Sequence, residues 1–461
     1  MTTPAVIVAG THSGSGKTTV TLAILAALTR RGVRVQGFKV GPDFIDPGHH
    51  TRITGRPSRN LDTWLLDPTA LAETYRNGTI GSDLAVIEGV MGLFDGRGGL
   101  DESGSTADLA RLLGLPVVLV VDARGLARSI VPLVLGFARF DESVRVKGVV
   151  ANNVGSHRHF AEYLAPGLRA DTPDLSLLGY LMRNELLSIP SRHLGLWTAE
   201  ELALDSSLAN ALADVAESTL DLDRLVELAR VPDLAPPPPP PQNVAPASAA
   251  RPTIRVGLAR DSAFCFYYED NLDHLRAAGA EIVPFSPLLD PDLPPGIDLL
   301  YLGGGYPEIH AARLAANLAM RSSIRSFHAQ GGTILAECGG MMACTEVLRD
   351  LEGKDHALWG LIPARAVMQS KFAALGYVSV IAERDTVLGC EGTTVRGHEF
   401  HYSQLEPQAS LRYATSLNRP GREPKPDGVQ IGGLLAGYAH LHFGSNERVA
   451  ANLIESAKTS W

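Results

Sequence analysis

At 461 residues the chain exceeds one ordinary domain, so two or three are expected. Its 45% hydrophobic and 20% charged residues fit a globular protein, and no uninterrupted apolar run reaches membrane-spanning length, which argues against a membrane protein. The net charge of −9 argues against non-specific binding to nucleic acid. Four cysteines (Cys265, Cys338, Cys344 and Cys390) are too few and too scattered for a disulfide framework or a zinc cluster. The first strand opens at Ala5, which leaves no room for a secretory signal, so a reducing cytoplasm is the expected setting.

The apolar run Ala5 to Ala9 predicts a buried parallel strand, and Val20 to Leu28, closed by Arg30, Arg31 and Gly32, predicts a helix. Between them lies Ser13-Gly-Ser-Gly-Lys-Thr-Thr19, a phosphate-gripping loop. Gly14 and Gly16 let backbone N–H groups approach a polyphosphate at the helix N-terminus, with Ser13, Ser15 and Thr19 around them. Lys17 is placed to reach the β- and γ-phosphates of ATP, and the Thr18 hydroxyl to ligate Mg²⁺. Thr11 stands where the usual pattern begins with glycine; Gly10 lies one place earlier.

A second strand, Val33 to Lys39, runs into Gly-Pro-Asp-Phe-Ile-Asp-Pro-Gly-His-His50, at the carboxyl ends of the strands, where ligands of open parallel sheets collect. Asp43 and Asp46 there read either as metal and substrate contacts or as Asx-turn residues. Asp83 to Ile87 is a further strand, and Glu88 directly after it is costly to bury without a cation, which makes it a candidate Mg²⁺ ligand. Asp95 sits further along the same loop. Pro116 to Ala123, Val146 to Asn153 and Leu175 to Met182 complete a doubly wound parallel sheet, and Thr198 to Val231 reads as mostly helical. Asn152 or Asn153 either meets an adenine edge or forms a turn. Residues 1–232 are therefore expected to be a nucleotide-binding domain, which the resemblance given below makes an ATP-dependent synthetase. The proline-rich stretch 233–252 is expected to be a semi-rigid linker, and 253–461 a second α/β domain.

In that second domain, strands are expected at Thr253 to Ala259, Ala280 to Phe285, Ile297 to Leu302 and Thr333 to Glu337, with a helix from Glu308 to Ala329. Cys338 follows the last strand and precedes Gly339-Gly340 and a helix, the setting of a nucleophile on a tight turn. The helix N-terminus is expected to lower its pKa, and the Gly339 N–H to supply one oxyanion donor. The loop Gly303-Gly-Gly-Tyr-Pro-Glu308, through Gly304, is expected to supply a second. Leu434 to Phe443 reads as one strand with His440 and His442 on one face; either pairs with Cys338 while the other orients it. Cys265, Cys344 and Cys390 read as core thiols.

Taken together, these motifs resemble the cobyrinic acid and hydrogenobyrinic acid a,c-diamide synthases. The marks are the phosphate loop, Lys39-Val-Gly-Pro-Asp-Phe-Ile-Asp-Pro47, Glu88-Gly-Val-Met-Gly-Leu-Phe-Asp95, Arg192-His-Leu-Gly195, Gly303-Gly-Gly-Tyr-Pro-Glu308, Glu337-Cys-Gly-Gly340, Gly397-His-Glu-Phe-His-Tyr-Ser403 and His440-Leu-His-Phe443. The resemblance covers nearly the whole chain apart from the proline run. It implies a P-loop, dethiobiotin-synthetase-like doubly wound sheet joined to a class I glutamine amidotransferase-like α/β domain. It further implies a ligase in which Cys338 attacks glutamine with His440 as base, the usual third acid being absent. ATP would phosphorylate a ring acetate, and ammonia would displace the phosphate, first at one acetate and then at the other. By the same resemblance Thr18, Asp43 and Glu88 surround Mg²⁺, Asp46 and Asp95 lie at the substrate, and Asn152 touches the base. The partners implied are small molecules (a corrinoid polycarboxylate, glutamine and ATP) with no nucleic acid and no membrane, a homodimer being left open. The Pro42 to His50 loop leans the choice of ring toward hydrogenobyrinate. A nickel-sirohydrochlorin a,c-diamide synthase is the alternative, or, in another class, a P-loop switch ATPase with an inactive amidase domain.

Overall fold

The computed structural model describes residues 2–184, 191–192, 195–196, 206–235 and 254–459, and divides into two compact units, 1–239 and 240–461. The run 236–252 of the expected linker, and part of the Arg192 to Gly195 motif, lie outside the described residues. The first residues of that linker are held on the first unit, where the Asp233 N–H donates to Leu113 O at 2.8 Å.

In the first unit the elements run β1 (Ala5–Gly10), α1 (Lys17–Arg30), β2 (Val35–Val40), α2 (Ile45–Thr54), β3 (Arg59–Leu61), α3 (Pro68–Thr79), β4 (Leu84–Glu88), α4 (Thr106–Leu113), β5 (Val117–Asp122), α5 (Ile130–Phe140), β6 (Val146–Val154), α6 (Ala165–Asp171) and β7 (Ser176–Met182). A short hairpin, β8 (Ser191–Arg192) with β9 (Gly195–Leu196), precedes helices α7 (Ser206–Thr219) and α8 (Leu222–Leu228). Seven strands form one parallel sheet in the order β3-β2-β4-β1-β5-β6-β7. The apolar residues of α1 are buried from Val20 to Leu28, because the helix is packed between the sheet and the Leu212, Ala213 and Ala216 face of α7. A helix apolar on nearly every side has to be enclosed in this way. With α1 fixed, its N-terminus points at the carboxyl ends of β1, β2 and β4, where the acidic residues emerge.

The second unit runs β10 (Ile254–Ala259), α9 (Glu269–Ala277), β11 (Ala280–Phe285), β12 (Leu299–Leu302), α10 (Ala311–Ala316), α11 (Leu318–Ala329), β13 (Thr333–Glu337) and α12 (Gly339–Cys344). It continues with β14 (Thr345–Arg349), β15 (Asp355–Ala357), β16 (Ile362–Met368), β17 (Ala374–Ala382), β18 (Thr394–His401), β19 (Ser403–Pro407), β20 (Tyr413–Asn418), β21 (Lys425–Ile431), β22 (Leu434–Gly437), β23 (His440–Leu441) and α13 (Arg448–Ser456). Its ten-stranded sheet has the order β11-β10-β12-β13-β22-β21-β20-β17-β18-β23, parallel from β11 to β22 and antiparallel beyond.

Three expectations change here. The helix expected over 308–329 is two helices, because Asn317 caps the second through Met320 N and donates to Pro287 O and Asp290 O at 2.9 and 2.8 Å. The single strand expected over 434–443 bends at Tyr438 and Ala439, so β22 pairs with β13 and β21 while β23 pairs with β18. Cys390 is exposed rather than a core thiol; Cys265 is half-buried and Cys344 fully buried.

Candidate functional site

The phosphate loop is built by backbone geometry. Gly14 and Gly16 have φ of 83° and 88°, in the left-handed region, and a side chain at Gly16 would overlap the Asn152 amide. Asn152 Nδ2 donates to Ser15 O at 3.0 Å. One of the two amide hydrogens of Asn152 thus supports the loop. Gly10 is needed because a Cβ there would overlap the Ser15 hydroxyl. That hydroxyl is buried without a hydrogen-bond partner, which a phosphate oxygen would satisfy. Lys17 Nζ donates to Met91 O at 2.5 Å, and burial together with Lys39 pushes its pKa down to about 8. An anion at the loop would reverse that shift.

A buried charge cluster sits beside the loop. The parallel register sets Lys39 opposite Glu88 at the ends of β2 and β4. Lys39 Nζ donates to Asp46 Oδ2 at 2.6 Å, to Glu88 Oε1 at 3.0 Å and to Gly89 O at 3.1 Å, and lies 3.9 Å from Asp43 Oδ2. The Thr18 hydroxyl donates to Glu88 Oε1 at 2.6 Å and lies 3.5 Å from Asp46 Oδ2. On its other oxygen Glu88 meets His50 Nε2 at 2.8 Å, and His50 Nδ1 is held by Ser58 Oγ at 3.2 Å. Burial alone would raise the Glu88 pKa, but Lys39, His50 and Thr18 outweigh it and hold the carboxyl below its ordinary range. The same carboxylates hold Lys39 protonated against burial.

Asp43 forms the Asx turn, its Oδ1 accepting from the Ile45 and Asp46 N–H groups at 2.8 and 3.2 Å, while its Oδ2 faces Lys39. Asp95 accepts from the Gly92 N–H at 2.8 Å, shaping its own turn, and its charge acts on Lys17. Among the described residues no group of three or more His, Cys, Asp or Glu side chains could by itself hold a metal ion. The donor set nonetheless fits Mg²⁺ as phosphoryl-transfer sites bind it, through one or two protein oxygens with phosphate and water supplying the rest. Asp43, Asp46 and Glu88 gather about the Lys39 ammonium, and burial with the two neighbouring carboxylates pushes the Asp46 pKa well up, as a cluster short of positive charge does. Lys39 and His50 escaped the reading by motif; the available signal was a lysine and a glutamate ending adjacent parallel strands.

In the second unit, Cys338 sits between β13 and α12 with φ 49° and ψ −104°, a strained conformation for a residue with a side chain. Its N–H donates to Gly437 O at 2.8 Å. Gly340 is required because a Cβ there would overlap Leu302 O. A Cβ at Gly339 would come within 3.1 Å of Gly305 N, and one at Gly304 would overlap the His440 ring. The Gly303–Gly305 loop thus borders both the Cys338 turn and His440. Gly304 O accepts from the Cys265 and Phe266 N–H groups, each at 3.0 Å, which fixes the loop's orientation.

His440 stacks on His398 with centroids 4.9 Å apart, and His398 Nδ1 meets Tyr268 OH at 2.9 Å. His442 instead turns toward Asp270, at 3.8 Å, and Tyr268. Of the two histidines the sequence offered, His440 is the one against the Gly304 loop. The expected lowering of the Cys338 pKa is overturned. Burial, then the charge of Glu308, push the thiol up. Burial also pushes His440 down to about 3, so the pair rests as thiol and neutral imidazole. A cavity of about 260 Å³ near this turn is lined by Met341, His401, Ser403 and Tyr438, with Lys425 and Asp427 giving it one cationic and one anionic wall.

Two outcomes follow from this geometry. His50→Ala should lower amide-forming kcat by about 10–100-fold, the usual cost of losing a group that orients a metal-ligating carboxylate, and leave glutamine hydrolysis unchanged. Steady-state rates of both half-reactions check it; equal loss in both would contradict the role. Secondly, a base must be neutral to act, and His440 is neutral down to about pH 3. The kcat/KM of glutamine hydrolysis should therefore show no acid limb near the ordinary histidine value of 6.5. A limb at that value would contradict the buried, neutral imidazole.

Residues 6–196 match a family model described as the CobQ/CobB/MinD/ParA nucleotide binding domain, and residues 255–448 match one described as a CobB/CobQ-like glutamine amidotransferase domain. The chain is similar to cobyrinate a,c-diamide synthases of several bacteria. It is 42% identical to that of Dehalococcoides mccartyi, covering 99% of both chains, and 43% identical to that of Syntrophotalea carbinolica, again covering 99% of both. It is 39% identical to that of Priestia megaterium, over 98% of this chain and 97% of the relative. With both sites on one chain and likeness running from end to end, the chain belongs to the cobyrinate a,c-diamide synthase family, and is an ATP-dependent ligase that draws its amide nitrogen from glutamine.

Proposed function

We propose that this enzyme amidates the a and c acetate side chains of a corrin ring, either cobyrinate or its metal-free counterpart hydrogenobyrinate, in cobalamin biosynthesis. The observation that carries the reading is identity of about 40% to named cobyrinate a,c-diamide synthases along both units. It is supported by a phosphate loop with an acidic cluster in one unit and a strained cysteine turn in the other.

A carboxylate resists attack by ammonia until it is phosphorylated, and ATP supplies that group. Gly14, Ser15, Gly16 and Lys17 would bind the phosphates, and Thr18 with Glu88, aided by Asp43, would hold Mg²⁺. Lys39 and His50 would fix the Glu88 carboxylate. Asp46 and Asp95 would face the ring acetate and the transferred group. In the second unit, His440 would take the Cys338 proton as Sγ attacks the glutamine amide carbon. The N–H groups of Gly304 and Gly339 would receive the oxyanion. Loss of ammonia would leave a thioester, which water hydrolyses. The cavity walled by Lys425 and Asp427 suits the carboxylate and ammonium of an amino acid. No helix among the described residues is long and apolar enough to cross a membrane, and all the proposed substrates are small and water-soluble.

Purified protein given Mg²⁺–ATP and glutamine should add two amides to cobyrinate, to hydrogenobyrinate, or to both, as read by mass. Glu88→Gln should abolish this while glutamine is still hydrolysed. No amide on either ring from the wild-type protein, with glutamine still consumed, would overturn the corrin assignment and turn attention to nickel-sirohydrochlorin.

A further inference from the structure

The strand that carries His440 is only two residues long and has a hydrogen-bonded neighbour on one side, β18, through the pairs Gly397 with Leu441 and His398 with His440. Just beyond it, the His442 N–H donates to Arg396 O at 2.9 Å. Because backbone groups alternate along a strand, those of Leu441 and Phe443 face the other way, where no strand among the described residues is paired. Side chains fill that role. Glu337 Oε1 accepts from the Leu441 N–H at 3.2 Å. Asn271 Nδ2 donates to Leu441 O, and Asn271 Oδ1 accepts from the Phe443 N–H, both at 2.8 Å. The two side chains are joined through Tyr301: its hydroxyl donates to Glu337 Oε2 at 3.1 Å and lies 3.2 Å from Asn271 Nδ2. Glu337, Tyr301 and Asn271 are all buried, so every one of these bonds is shielded from competing water.

Glu337 immediately precedes Cys338, and Leu441 immediately follows His440. One hydrogen bond therefore links the neighbour of the nucleophile to the neighbour of the base. We propose that Glu337, with Tyr301 and Asn271, is the positioning device that sets His440 against Cys338, doing through the backbone what a third acid on the histidine ring does elsewhere. The inference rests on the assignment of Cys338 and His440 as the glutamine-hydrolysing pair. Burial pushes the Glu337 pKa up to about 8. Its titratable neighbours are Tyr301, Tyr267 and Cys338, and none of them supplies a positive charge. A neutral carboxyl is what the site holds at pH 7, and a glutamine side chain reproduces its shape and its acceptor.

The test compares Glu337→Ala, Glu337→Gln and Tyr301→Phe with Cys338→Ala and His440→Ala in the full chain, with Mg²⁺–ATP present. Glutamine hydrolysis is followed as kcat and KM, and Cys338 alkylation by iodoacetamide is followed by peptide mass. Glu337→Ala should lower kcat by about 10²-fold with KM for glutamine little changed, as displacement of a catalytic group by about 1 Å does. It should also slow Cys338 alkylation, whereas Glu337→Gln should restore most of both. Tyr301→Phe keeps the ring and removes only the hydroxyl, so it is read if Glu337→Ala does not fold; it should lower kcat with KM unchanged. Wild-type kcat in Glu337→Ala or in Tyr301→Phe, with Cys338→Ala and His440→Ala inactive, would overturn the positioning role alone. Wild-type hydrolysis in Cys338→Ala or His440→Ala would overturn the underlying assignment.

Discussion

The contact between Lys39 and Glu88 is the constraint around which the synthetase site is arranged. Both are buried at the ends of neighbouring strands, where an isolated charge would be strongly disfavoured. Breaking such a buried pair typically costs about 3–5 kcal/mol, because the remaining charge is stranded. Thr18, Asp46 and His50 converge on the same two groups, so the phosphate loop, the α2 entry and the β4 end are tied into one network. That network holds Glu88 ionised beside a lysine-bearing phosphate loop, which suits a polyphosphate and its cation. The rigid placement of α1 beneath the sheet supplies the other half, since its N-terminus delivers both Lys17 and Thr18.

The second unit solves a different problem with the same economy of means. The proposed nucleophile, Cys338, is held by backbone strain and crowding, with glycines where any side chain would collide. The proposed base, His440, is held on a two-residue strand fastened by β18 on one side and by side chains on the other. Thiol and imidazole are both kept neutral by burial, so proton transfer is left to the moment a substrate enters. An ionised thiolate waiting in a buried pocket would be costly there, and a neutral pair avoids that cost.

Much of this was legible in the sequence because it is local. A phosphate loop announces itself through glycine spacing, and the Cys338 turn through small residues after a strand. Parallel strands announced themselves through apolar runs, and the break at Asn317 was hidden because its cause lies in Pro287 and Asp290, some thirty residues back in the chain. The bend at Tyr438 was hidden likewise, since β22 and β23 take different partners. Asn152 was legible as a residue at the strand end beside the nucleotide loop, but its bond to Ser15 O is set by the folded loop. Lys39, His50 and Glu337 went unassigned because each gains meaning only from a partner on another strand or helix. The direction of the Cys338 pKa was misjudged because burial, unlike motif spacing, is a property of the folded chain.

The central claim is that two separate chemistries share one chain and are coupled by ammonia. Its most direct test is Cys338→Ala given Mg²⁺–ATP and cobyrinate, with glutamine in one arm and an ammonium salt in the other. Amide should form from ammonium at close to the wild-type rate and not at all from glutamine. Amide formation from glutamine at the wild-type rate, or none from ammonium while wild-type protein uses it, would contradict the account.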